Sequence, residues 1–184
     1  MSCLQEDVQM KADKLVMGLG VLTIIALAFL IVTQAGVIGV SKAQMEQDAR
    51  QQQQISANWQ VASDVDENLG ALLFYDEEKK DYTYSVYSTR DGVSYGYFYN
   101  EGGKYPYIEE GVQGFVYEDK GIAFLSLNED HVCRIIVNTG SENEELIPVN
   151  PLKPFAVVVP LDCGQISMYD SMNNLVKIYD SFRG

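Results

Sequence analysis

The sequence predicts a mainly β protein: an antiparallel β-sandwich preceded by one transmembrane helix that continues into a short helical stalk. Three observations carry this. Residues 15–40 form one uncharged apolar run, residues 41–68 are polar and Gln-rich with no Pro or Gly, and from Leu69 onward the apolar pattern changes to a period of two. The expected division is a short cytoplasmic tail (1–14), a transmembrane helix (15–40), a helical stalk (41–68) and a β-sandwich ectodomain (69–184).

The run from Leu15 to Val40, LVMGLGVLTIIALAFLIVTQAGVIGV, carries Thr23, Thr33 and Gln34 as its only polar side chains. At ~1.5 Å per helical residue it covers roughly 39 Å, enough to cross a ~30 Å hydrocarbon layer with some tilt. It exceeds the ~7–15 residues of a signal-peptide core, although Ser41-Lys42-Ala43 imitates a cleavage site. A buried core helix is disfavoured, because a chain of 184 residues has too little material to wrap it on all sides. Lys11 and Lys14 precede the run, and Lys42 and Arg50 follow it. The paired lysines and the short tail favour the N-terminus inside and the large domain outside. Membrane lipid is thus one expected partner, through residues 15–40, and the expected location is a single-pass cell-membrane protein with its C-terminal domain outside the cytoplasm.

Without Lys11, Lys14, Glu6, Asp7 and Asp13 the chain beyond residue 40 keeps a net charge of −12. Such a surface repels phosphate backbones, which excludes nucleic-acid binding.

In the stalk segment KAQMEQDARQQQQ consists of good helix formers, but Met45, Ala49, Ile55, Trp59 and Ala62 make only an irregular stripe. Trp59, well past the span, is expected to cap the following domain rather than to anchor at a membrane interface. Strands are expected near Gly70–Tyr75, Tyr82–Ser88, Ser94–Asn100, Val112–Tyr117, Ile122–Asn128, Val132–Asn138, Leu146–Val149, Phe155–Pro160, Gln165–Asp170 and Leu175–Tyr179. The turn signals between them, among them RDGV, EDKG, TGSENEE and LDCG, recur at the ~8–12-residue spacing of a sandwich or barrel.

The stretch DGVSYGYFYNEGGKYPY is dense in tyrosine. Asp91-Gly92 is a strong two-residue hairpin signal, since a type I′ turn needs positive φ at both central positions. With that turn, Tyr84 falls opposite Tyr99, Val86 opposite Tyr97 and Ser88 opposite Tyr95. Tyr84, Tyr95, Tyr97 and Tyr99 would then line one face. That face is either sheet material, where cross-strand aromatic pairs contribute about 0.2–1 kcal/mol each, or an exposed binding platform for a glycan or a peptide.

Catalytic signals are sparse. His131, the one histidine, follows Asp130 in a turn, and no GxSxG elbow, Walker loop, dinucleotide fingerprint, HExxH or EF-hand pattern occurs. The acidic groups Asp76-Glu77-Glu78, Glu109-Glu110 and Glu142 with Glu144-Glu145 lack the alternation and tight Gly of a calcium loop. No metal, cofactor or catalytic residue is expected. Of three cysteines, Cys3 falls in the tail, while Cys133 and Cys163 lie in the outer domain, where an oxidising compartment would permit either a disulfide or two separate thiols.

The runs YTYSVYSTRDGVSYGYFYNEGG and KPFAVVVPLDCGQISMYDSMNNLVKIY resemble bacterial (Gram-positive-type) single-pass envelope proteins of unknown function in which one span precedes a β-rich ectodomain. The second run is similar to the last strands of Ig-like ectodomains. The resemblance implies an Ig-like sandwich and an envelope location, and it carries no catalytic residues. The expected function is therefore a membrane-anchored extracytoplasmic binding module, not an enzyme, acting as a non-catalytic subunit of an envelope complex with a protein partner. Two alternatives stand beside it: an anchored carboxylate-dependent glycan hydrolase, with Asp162 and Asp170 as candidate carboxylates, and a structural protein self-assembling into a homo-oligomer through span and stalk.

Overall fold

The structure, a computed structural model, describes residues 17, 19–27, 37–92 and 94–183, without the side chain of Arg183. The chain divides into two compact units, residues 1–38 and 39–184. In the first, residues 19–27 are helical and their large apolar side chains are exposed. Among the described residues no helix is long and apolar enough to cross a membrane. Most of the remainder of the expected span, and the whole of the expected tail, lie outside the described residues.

The second unit is mainly β, with eleven strands in three sheets among the described residues. Chain order is α1 (Lys42–Gln53), β1 (Gln60–Val65), β2 (Leu69–Tyr75), β3 (Tyr82–Ser88), β4 (Phe98–Gly103), α2 (Pro106–Glu110), β5 (Val112–Tyr117), β6 (Gly121–Ser126), β7 (Val132–Val137), β8 (Glu145–Pro148), β9 (Phe155–Val159), β10 (Ile166–Asp170) and β11 (Ile178–Arg183). The outer sheet runs β1-β2-β3-β4, the central sheet β11-β5-β6-β9 and the third sheet β10-β7-β8. All pairs are antiparallel except β11–β5, which is parallel. That pair corrects the expectation of a wholly antiparallel arrangement: the chain leaves β10 in the third sheet and returns beside β5 in the same direction.

Strand faces explain the stacking. On β5, β6 and β9 the residues Phe115, Tyr117, Ala123, Leu125, Ala156 and Val158 pack toward the outer sheet. The alternate residues Val112, Phe124, Phe155, Val157 and Val159 pack toward Val132, Ile135, Val137 and Met168 of the third sheet. The central sheet is thus covered on both faces, which is why β9 reads FAVVV instead of alternating apolar with polar. β2 is likewise buried along its whole length. Leu69, Ala71 and Leu73 face the central sheet, while Leu72 and Phe74 face Met45 and Ala49 of α1.

The segment expected as a projecting stalk over 41–68 is built differently. α1 lies against the outer sheet with Met45 and Ala49 buried, and residues 60–65 are the edge strand β1. A 12-residue helix is marginal on its own, so packing decides its position. The side chain of Gln53 donates to Tyr84 O (2.8 Å) and Ser85 Oγ (2.6 Å) and accepts from Thr83 Oγ1 (2.5 Å), and Tyr87 donates to Asp48 Oδ2 (2.7 Å). Before the helix, Gly39 and Val40 pair with Tyr95 and Tyr97 through three backbone hydrogen bonds of 2.7–2.8 Å. At the other edge, Asp64 Oδ2 accepts Val158 N–H (2.8 Å), joining β1 to the edge of β9.

Candidate functional site

The tyrosine hairpin does not have the expected register. β4 begins at Phe98, and a bulge falls between Val86 and Tyr87, so that Ser88 pairs with Phe98, Tyr87 with Tyr99 and Tyr84 with Gly103. Asp91-Gly92 belongs to a longer loop, with Ser94 N–H donating to Gly92 O (3.1 Å) and Gly92 at φ +87°. The cause is the chain at Gly39–Val40. It pairs along residues 95–97, and a Cβ at Gly96 would meet its backbone.

The four tyrosines consequently separate. Tyr84 is buried between the outer and central sheets, stacked on Phe115 with ring centroids 4.8 Å apart. Tyr97 is buried on the opposite face and donates to Asp66 O. Tyr99 packs edge-on to Tyr87 at 5.5 Å, and Tyr95 is 71% exposed. No common tyrosine platform is formed by these residues.

Glu101, which the sequence did not single out, joins two sheets. Tyr84 of the outer sheet donates to its Oε2 (3.0 Å) and Tyr117 of the central sheet to its Oε1. From Tyr84 a continuous column of rings crosses the domain: Phe115, Tyr105 (5.5 Å), Tyr107 (6.1 Å) and Tyr179 (4.1 Å, parallel), with Lys177 Nζ 4.3 Å from the last ring. Four of the twelve tyrosines belong to this column.

Open space lies at the end of the domain where four connections meet. One groove of about 550 Å³ is lined by Ser88, Tyr99, Asn100, Glu101, Glu118 and Lys120, among others. A second, of about 450 Å³, is lined by Asp66, Glu67, Asp119, Lys120, Leu161 and Asp162, among others. Lys120 belongs to both. Its side chain is 17% exposed and pairs with Asp91 from the β3–β4 loop. A buried stem with a paired ammonium head fixes the wall between the grooves. Neighbouring turns are tied as well, for Thr89 N–H donates to Asn68 O (2.9 Å) and Asp66 Oδ1 accepts Asn68 and Leu69 N–H (both 2.7 Å).

The remaining candidates are scattered. His131 is exposed in the β6–β7 turn, with Nδ1 3.0 Å from Pro151 O. Asp170 is the last residue of β10, a strand about 13 Å long at ~3.3 Å per residue, whereas Asp162 lies in the turn before its first residue and lines the second groove, which Asp170 does not. Asp170 is occupied by the turn that follows, accepting Met172 N–H, Asn174 N–H and the Asn174 amide, and these hydrogen bonds hold its carboxyl below the usual range. Those two carboxylates do not converge on a cleft. Cys133 and Cys163 are separate thiols: Cys133 Sγ donates to Asp170 O (3.2 Å), whereas Cys163 is buried, which raises its pKa. Comparison with family models, curated proteins and solved structures gives no match.

Proposed function

We propose that this chain is a membrane-anchored extracytoplasmic interaction module, a non-catalytic subunit of an envelope complex. In this proposal residues 15–40 anchor it in lipid, and an Ig-like sandwich presents the Lys120 end to a protein partner. The observation that supports it is the pair of adjoining grooves sharing Lys120, built from connections held by a rigid β scaffold. Loops so positioned are the usual carriers of binding function. The net charge of −12 beyond residue 40 favours a partner surface of opposite sign.

A photo-crosslinking residue at Glu118, with a second at Glu129 in the β6–β7 turn as comparison, tests this in native membranes. The expected result is a band from a different protein at 118 and not at 129. A ladder containing only this chain would replace the hetero-complex with self-assembly, and equal or absent crosslinking at both positions would remove the Lys120 end as the docking face.

A further inference from the structure

A third groove lies at the opposite end of the outer sheet, away from Lys120. It encloses about 280 Å³ and is lined by Gln53, Gln54, Ser56, Trp59, Asp81 and Lys104, among others. Trp59 is the only tryptophan of the chain. It is half-buried, packing against the cluster between α1 and the outer sheet while still lining the groove.

We propose that this groove binds a neutral saccharide, with one sugar ring against the Trp59 indole and a vicinal diol on the Asp81–Lys104 pair.

The wall is set before any ligand arrives. Arg50 Nη1 donates to Ser56 O (2.9 Å) and Nη2 to Trp59 O (3.0 Å), so one guanidinium spans the loop that carries the indole. Arg50 is itself fixed by Glu46 (2.8 Å) and by the Phe74 ring beneath it, 4.9 Å from the centroid. Ile55 N–H donates to Arg50 O (2.9 Å) and closes the helix end, with Gln54 in the left-handed region. A loop ordered in this way loses little freedom on binding.

The polar side selects the ligand class. Lys104 Nζ lies 2.5 Å from Asp81 Oδ1, and the two side chains remain 63% and 49% exposed. An ammonium only donates and a carboxylate only accepts, so the pair offers donors and acceptors side by side. A hydroxyl does both, and two adjacent hydroxyls on a ring satisfy the pair without bringing a charge. A cationic ligand would meet Lys104 and an anionic one Asp81. The pair stays ionised at neutral pH: the Lys104 hydrogen bond holds the Asp81 carboxyl below its usual value, and the same contact raises Lys104. Gln53 is committed to Thr83, Tyr84 and Ser85 and serves as wall. Gln54 and Ser56 supply further polar contacts at the rim. The volume is below the ~300–1,000 Å³ of sites that enclose a drug-sized ligand, which suits one ring of a chain that continues into solvent.

The single indole makes the test direct. The full chain, purified in a detergent without a sugar headgroup, is titrated separately with cellotriose, chitotriose and maltotriose while tryptophan emission is followed. The expected result is a saturable change for at least one of the three, with Kd between about 10 μM and 1 mM. Asp81→Asn and Lys104→Met should each weaken it about tenfold, with Glu142→Gln, at an exposed position outside all three grooves, leaving it unchanged; circular dichroism identifies which variants are folded. No saturable change with any of the three sugars overturns the proposal. So does binding that survives both groove substitutions in folded protein. Failure of this site leaves the Lys120 end untouched, since the two share no residue.

Discussion

Tyr87 shows how much a single polar group is asked to do in this fold. It is fully buried, donates to Asp48 on α1, and touches Tyr99 across the outer sheet. Burial raises its pKa far above that of a free phenol, and Asp48 adds to the effect. Tyr75, Tyr82 and Tyr99 are raised as well, each first by burial. With folded pKa values above the unfolded value of 10.0, these groups contribute stability that is complete below pH 10 and lost as pH rises through the folded values. The urea midpoint should therefore hold level from about pH 7 to 9 and fall above about pH 10, and Tyr87→Phe should make that fall shallower. Gly102 is constrained by space instead. A Cβ there would meet Gln53 Nε2, Tyr84 O and the Tyr99 hydroxyl. Gly102→Ala should cost about 1–3 kcal/mol in urea unfolding, because one of those three atoms is backbone and cannot swing aside. Single residues were also where sequence reasoning lost its hold. The pairing Tyr84–Tyr99 followed from Asp91-Gly92, but a bulge and a distant segment, Gly39–Val40, moved it to Tyr84–Gly103. Glu101 was missed for the same reason, since the expected strand ended at Asn100 and left it in a turn.

At the scale of elements the sequence was far more legible. β3 and β5 run over the expected residues, and most other strands differ by a residue or two at their ends, because turn residues and apolar alternation are local signals. What was not local went unread. The polar composition of 41–53 identifies a helix but not its destination: α1 is seated on the sheet by two buried side chains, Met45 and Ala49, and by the hydrogen bonds of Asp48 and Gln53. Ala49→Glu should lift it, uncovering Leu72, Phe74 and Tyr97 and giving a rise in ANS fluorescence while the β signal in circular dichroism persists. β1 falls within the expected stalk because QVASDV alternates only weakly. The central sheet is the opposite case. Leu125 sits fully buried within it, and Leu125→Ala should cost about 2–5 kcal/mol, against less than about 0.5 kcal/mol for Leu152→Ala at the surface.

For the whole molecule, the folded unit begins at Gly39, earlier than the boundary at Leu69 that the change in apolar period suggested. Residues 39–184 produced alone should unfold in one cooperative step with coincident fluorescence and circular dichroism, whereas a chain starting at Leu69 should not reach the same state, lacking α1 and β1. Protease applied to intact cells tests the proposed topology, with loss of the β domain expected and full protection placing it inside. The three-sheet stacking was not legible, because apolar runs such as FAVVV state that two faces are covered without stating by what.

The pairing of Gly39–Val40 with Tyr95–Tyr97 has a mechanical consequence. Tension applied to the chain at its entry into the domain is borne first by three backbone hydrogen bonds at a sheet margin, and next by the packing and side-chain hydrogen bonds that seat α1. A stretched molecule of this build would lengthen in a small early step at low force, then resist.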